Sequence, residues 1–203
     1  MIDKIKDKFK NYKPYINGHE DMKISSVLIP IVKKDNNYYI LFEVRSSNLK
    51  FQPNEICFPG GKIDINETPY DAVIRETIEE LGTTSNNIEI ISQVDLLVIQ
   101  SNMIIHPFVG YIKDIDNLNI NKDEVNHTFL VPISYLIQTT PTSYENEIHI
   151  VRDKNFPYDI LPNKQSNKFI RGYESTLFYE YDNYVIWGIT AKILENFIEF
   201  LKS

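Results

Sequence analysis

GKIDINETPYDAVIRETIEELGT, residues 61–83, decides how the rest of the chain is read. Thr68 suits the N-cap of a helix, Pro69 the first helical position, and Asp71 can return a bond to the cap as in a capping box. Gly82 follows Leu81 where a left-handed C-terminal residue belongs. These signals predict a helix over 69–81. At roughly 100° per residue, Ile74, Ile78 and Leu81 recur on one stripe. Glu76, Glu79 and Glu80 are expected on the opposite side, at relative positions i, i+3 and i+4. Carboxylates crowded into one turn repel each other unless a cation joins them. Hard divalent cations prefer oxygen ligands, and Mg2+ combines one or two carboxylates with substrate phosphate. A lone acidic pair on a helix is ordinarily a solvated face. Here the acids belong to a longer constellation: Gly61, Glu67 after five residues, Arg75-Glu76 after seven more, then Glu79-Glu80 and Gly82.

Around this helix the hydrophobic pattern alternates between strand and helix. Runs at 25–32 and 38–44 are rich in Val, Ile and aromatics and flank Lys34-Asp35-Asn36-Asn37, which reads as a hairpin. Further strands are expected at 88–98, 103–112, 148–152 and 177–186. Helical patterns occur at 132–138 and 190–201, and Ile2, Ile5 and Phe9 suggest a short amphipathic helix. Strands interleaved with helices indicate an α/β fold with a mixed sheet. No internal repeat is visible, and 1–203 reads as one domain. The segment 139–173 is polar and proline-bearing, and long loops are expected there.

The bulk numbers exclude several classes. With 203 residues, 42% of them hydrophobic, and with 13 Tyr and 11 Phe, the chain is rich enough in core-forming residues to exclude intrinsic disorder. A formal net charge of -7 without a dense Lys/Arg run disfavours nucleic acid as a partner. An acidic enzyme still handles anionic substrates when metal ions or local cations mask their charge. Cys57 is the single cysteine, so no internal disulfide forms. Residues 1–13 lack an apolar signal core, and no apolar run approaches the roughly 20 residues that span a bilayer. A cytoplasmic location and no membrane partner are the expectations.

The constellation at 61–83 resembles the Nudix box, Gly-x5-Glu-x7-Arg-Glu-U-x-Glu-Glu-x-Gly-U, with U a bulky apolar residue. Every fixed polar and glycine position matches, while Thr77 and Thr83 occupy the two U positions. The resemblance implies an α/β/α sandwich with a mixed sheet, binding Mg2+ or Mn2+ against a substrate diphosphate. By position, Glu76, Glu79 and Glu80 are the expected metal ligands, and Arg75 holds the acidic cluster through ion pairs. Glu67 is expected to organise the motif or to reach the metal through water. Gly60 and Gly61 are expected to let the backbone approach metal or phosphate closely. The proton acceptor is Glu79 or Glu76, or an acid on a later loop, for which Glu124 is the candidate.

A second stretch, LFEVRSSNLKFQPNEICFPGGKID at 41–64, looks like the signature preceding the box in coenzyme A pyrophosphatases. Arg45, Ser46, Leu49, Lys50, Phe58, Pro59, Gly60, Gly61 and Asp64 fit, whereas Gln52 stands where His is frequent and Asn54 where Gly is usual. Pro107-Phe108-Val109-Gly110, Asp123-Glu124-Val125 and Trp187-Gly188-Ile189-Thr190-Ala191 also resemble that subfamily. It implies cleavage of coenzyme A to 4'-phosphopantetheine and 3',5'-ADP, with Arg45 and Lys50 as candidate phosphate contacts. Alternatives are another nucleoside diphosphate derivative, such as ADP-ribose or a dinucleotide, and a silent nucleotide-binding module. Trp187 reads as core more readily than as a base-stacking residue, and Cys57, His106 and His127 as structural. The pattern Ile193, Phe197, Ile198, Leu201 leaves open whether the last helix packs on the core or on a second subunit of a homodimer.

Overall fold

The computed structural model describes residues 1–162 and 171–203. In chain order the elements are α1 (Ile2–Phe9), β1 (Lys23–Lys34), β2 (Asn37–Arg45), β3 (Ile56–Cys57), β4 (Gly60–Lys62) and α2 (Pro69–Leu81). There follow β5 (Ile88–Gln93), β6 (Leu97–Ile99), β7 (Met103–Ile112), β8 (Val125–Pro132) and α3 (Ile133–Gln138). The chain continues with β9 (Thr142–His149), β10 (Arg171–Tyr181), β11 (Tyr184–Trp187) and α4 (Gly188–Lys202).

The expected hairpin forms: β1 and β2 pair antiparallel, and Asp35 and Asn36 take φ of 46° and 62° in the turn. Two positive φ values match the twist that tight hairpins need, and Asn and Asp tolerate them. The main sheet runs β3-β2-β1-β7-β5, with β8 also on β2, β4 on β1 and β6 on β7. Of these pairs β1–β7 is parallel and the rest antiparallel, so the sheet is mixed. A separate antiparallel sheet has the order β11-β10-β9.

Successive residues of the central strands point to opposite faces. Leu28 and Phe108 meet Val73, Ile74 and Ile78 of α2, while Ile29, Ile105 and Val109 meet Ala191, Leu194 and Phe197 of α4. Helices therefore cover both faces, as the α/β/α expectation required. Ile193, Phe197 and Ile198 are buried in this core, so α4 packs on its own chain; Leu201 stays outside, 43% exposed.

Several expectations need correction. The run at 88–98 splits into β5 and β6, and 177–186 is not one strand but the hairpin of β10 and β11 around Asp182 (φ 51°). No strand follows 148–152; residues 150–152 lie outside β9, which starts earlier at Thr142. The loop-rich expectation for 139–173 fails over β9 and the start of β10, and its portion at 163–170 lies outside the described residues. β9 is exposed along most of its length, so its apolar alternation is weak and its pairing with β10 holds it in place.

Candidate active site

Both ends of α2 behave as their residues dictate. Thr68 Oγ1 accepts from the Asp71 N–H at 3.1 Å, and Gly82 caps the C-terminus at φ 59°. The capping box is altered: Thr68 Oγ1 donates to Asp71 Oδ2 at 2.6 Å, so the acid answers the hydroxyl rather than the backbone. A larger correction concerns the faces of the helix. Glu80 is not opposite the packed stripe; it lies with Ala72, Val73, Thr77 and Leu81 on the buried side, 5% exposed. Thr77, at a position where an apolar residue is usual, satisfies its hydroxyl on the Val73 carbonyl at 2.6 Å and packs without an unpaired group.

Arg75 gathers the acids. Its Nε and Nη2 donate to the two Glu67 oxygens at 2.9 Å each, and its Nη1 donates to Glu76 Oε1 at 2.8 Å and to Glu79 Oε2 at 3.3 Å. The paired guanidinium holds the Glu67 carboxyl below the usual range, assisted by the Asp64 N–H that donates to Glu67 Oε2 at 2.9 Å. The same partners raise the Arg75 pKa. Glu80 is anchored separately, with Oε2 accepting from the Gly60 N–H at 2.8 Å. Gly60 and Gly61 pair with Val27 and Ser26 of β1. A Cβ on Gly61 would stand 2.4 Å from Glu76 Oε1, and one on Gly60 2.2 Å from the Ser26 carbonyl oxygen. The close approach expected of these glycines is thus made to the chain itself.

A carboxylate missed by the sequence reading joins this cluster. Glu43 shares the parity of Leu41 on β2, so it faces the α2 side of the sheet while Phe42 and Val44 face α4. It is 0% exposed and both its carboxylate oxygens lack a hydrogen-bond partner among the described residues. Burial, then the charge of Glu80, push its pKa well above the ordinary value. Burial likewise raises Glu76, and pushes Glu80 up to about 8, with Glu76 and Glu124 adding repulsion. Glu124 is half-buried and acts on Glu43, Glu76 and Glu80, so it is not the solvated turn acid that ordinary surface usage suggests. The signal for Glu43 was a charged residue inside the strand run Ile40-Leu41-Phe42, where such a residue is rarely buried without purpose.

Buried carboxylates with raised pKa values and unpartnered oxygens are the environment that a hard divalent cation relieves. The donors fit such an ion chemically. Among the described residues no three His, Cys, Asp or Glu side chains close into a cage, so the fit is one of donor type and charge. Arg75 fixes Glu76 and Glu79, and the Gly60 N–H fixes Glu80.

The glycines open onto a cleft of about 540 Å³ that is also lined by Arg45, Gln52, Cys57 and Trp187. Arg45 Nε is buried without a partner among the described residues, whereas Lys50 is exposed on the loop and does not line the cleft. Asn54 has φ 62°, which explains an Asn where Gly is usual, since Asn enters this region more readily than other side chains. Cys57 is a packing residue whose thiol burial pushes up in pKa, making it a poor nucleophile. His106 bridges Tyr15 and Gln93 at 3.1 and 3.0 Å, and His127 bonds Tyr184 at 3.0 Å; both roles are structural.

A NUDIX domain family model matches residues 22–169. Among curated relatives, "Nudix hydrolase 3" of Caenorhabditis elegans is 32% identical over 87% of this chain and 72% of its own length. The "Peroxisomal coenzyme A diphosphatase NUDT7" of Mus musculus is 30% identical over 83% of this chain and 66% of its own length. An "Uncharacterized Nudix hydrolase NudL" of Escherichia fergusonii is 26% identical over 95% of this chain and 91% of its own. In structure, a MutT/nudix family protein from Enterococcus faecalis superposes with a TM-score of 0.53 at 12% identity, over 100% of this chain and 70% of that one, which bears on the fold alone.

Proposed function

The chain belongs to the Nudix hydrolase family, which acts on phosphoanhydride bonds, and on that premise we propose that it splits the diphosphate of coenzyme A or a close derivative into 4'-phosphopantetheine and 3',5'-ADP. The observation that carries the substrate is the wall of the cleft. Arg45, Gln52, Phe58, Gly60 and Gly61, all from the 41–64 stretch that resembles coenzyme A pyrophosphatases, line it together. The likeness to the mouse coenzyme A diphosphatase supports the same reading.

In this reading Glu76, Glu79 and Glu80 hold Mg2+ or Mn2+. A divalent ion there supplies neutralisation of the diphosphate and activation of water for in-line attack. The chain's own residues supply position. Arg75 keeps Glu76 and Glu79 from turning outward, Glu67 keeps Arg75 in place, and the Gly60 N–H keeps Glu80 aimed. In this reading Glu79, whose side chain is 51% exposed, accepts the water proton. Arg45 lines the cleft, its Nε unpartnered among the described residues, and is the phosphate contact.

The test is hydrolysis of coenzyme A, ADP-ribose and reduced dinucleotide by purified protein with Mg2+ or Mn2+, with products identified by mass. Metal-dependent release of 3',5'-ADP, preferentially from coenzyme A, is the expected result. Preference for ADP-ribose would overturn the substrate and keep the chemistry.

A further inference from the structure

Trp187 closes β11 without being covered. It is 43% exposed, and its indole is held in one plane by Phe178, stacked at 5.9 Å and 10°, and by Glu55, whose Oε2 accepts from Nε1–H at 2.8 Å. The expectation of a core tryptophan therefore fails. On one side Trp187 borders the cleft described above; on another it walls a recess of about 610 Å³. A second aromatic wall is Tyr184, which lies flat on Phe129 at 3.6 Å and 4°, with its hydroxyl tied to His127. Both rings are thus fixed before any ligand arrives, which lowers the entropy lost on stacking.

The chemistry of the recess differs from that of the cleft. Asn54 and Asn183 present exposed side-chain amides at its rim, Pro53 and Val185 complete its apolar lining, and no Lys or Arg lines it among the described residues. Glu55 further disfavours a phosphate there. An uncharged, flat, aromatic group with hydrogen-bonding edges suits such a wall, because every nucleobase has a π-face to stack and polar edges for amides to meet. The cleft, by contrast, carries apolar side chains from Ile99, Met103, Ile105, Ile189 and Ile193. Recess and cleft share Glu55, Ile56 and Trp187 in their walls, so they adjoin.

We propose that the recess between Trp187 and Tyr184 is the subsite for the purine base of the substrate's nucleotide half, with the apolar side chains of the cleft left to the other half. This rests on the reading that the substrate is a nucleoside diphosphate derivative. Trp187 is the only tryptophan, so its emission reports on the recess in the unmodified protein. Adenosine 5'-monophosphate should quench it saturably, whereas ribose 5-phosphate, which lacks the base, should not. In calorimetry, Tyr184→Ala and Val185→Trp should each weaken adenosine 5'-monophosphate about tenfold, the scale of one lost stacking contact. Val185→Trp fills the recess from an exposed strand position and keeps the test open if Tyr184→Ala does not fold. Both should leave 4'-phosphopantetheine binding unchanged. The proposal is overturned if the nucleotide does not bind, if it binds without quenching, if folded variants bind it as the parent does, or if 4'-phosphopantetheine responds in its place. Preferred hydrolysis of ADP-ribose would remove the coenzyme A assignment and leave this subsite standing, because the adenosine 5'-monophosphate moiety would still need its place.

Discussion

Glu43 and Glu80 set the residue-scale behaviour. Both have pKa values raised above 4.5 in the folded state, so the folded protein holds these protons more tightly than the unfolded chain. Stability from this source is full below the unfolded value and is lost as pH rises, over a window that for Glu80 ends at about 8. Metal-free protein should therefore melt at a lower temperature at pH 8 than near pH 5, and Mg2+ should restore much of the difference; melts with and without chelator read this out. Glu43→Gln, which cannot ionise, should flatten the slope, and an equally steep slope in that variant would remove Glu43 from the cluster. Glu79 belongs to the chemistry rather than to the packing. Glu79→Gln should cut turnover roughly 10²–10⁴-fold with an unaltered melt, and unchanged activity would refute its role. Of the acids, the box residues were legible because their spacing is local to one helix. Glu43 was not, since what buries it comes from β8, β3 and α2, far away in sequence.

At the scale of elements, α2 is held by its ends and by one face. Thr68→Ala removes the acceptor for the Asp71 N–H and should cost about 1 kcal/mol. Gly82→Ala should cost more, at least about 2 kcal/mol, because φ is 59° and a Cβ would stand 1.7 Å from the Asn119 carbonyl oxygen. Urea titrations of the two variants check the order; a milder effect for Gly82→Ala would mean that the loop at Asn119 yields. The caps, the β1–β2 turn and the buried stripes of β7 and α4 were readable because each depends on neighbours a few residues away. The strands β8 and β9 were missed for the opposite reason. β8 buries Val125, Phe129 and Val131 and half-buries most of the rest by virtue of lying beside β2, and β9 shows water most of its side chains.

For the whole molecule, packing is concentrated between α2, the main sheet and α4, and α1 takes no part in it. Every residue of 1–13 is exposed, Ile2, Ile5 and Phe9 included. Deleting 1–13 should change unfolding free energy by no more than about 0.5 kcal/mol and leave hydrolysis intact; a large loss of stability would show that this helix docks somewhere. No helix among the described residues is long and apolar enough to cross a membrane. The sequence alone determined the capped acidic helix, the hairpin before it and the mixed α/β class, because caps, turns and periodicity are short-range consequences of backbone chemistry. Only the tertiary structure decided that Glu80 turns inward beside Glu43, that α4 closes its own core, and that Trp187 stays uncovered where cavities adjoin. Those outcomes depend on which surfaces meet across the sheet, and burial is a property of the partner as much as of the residue.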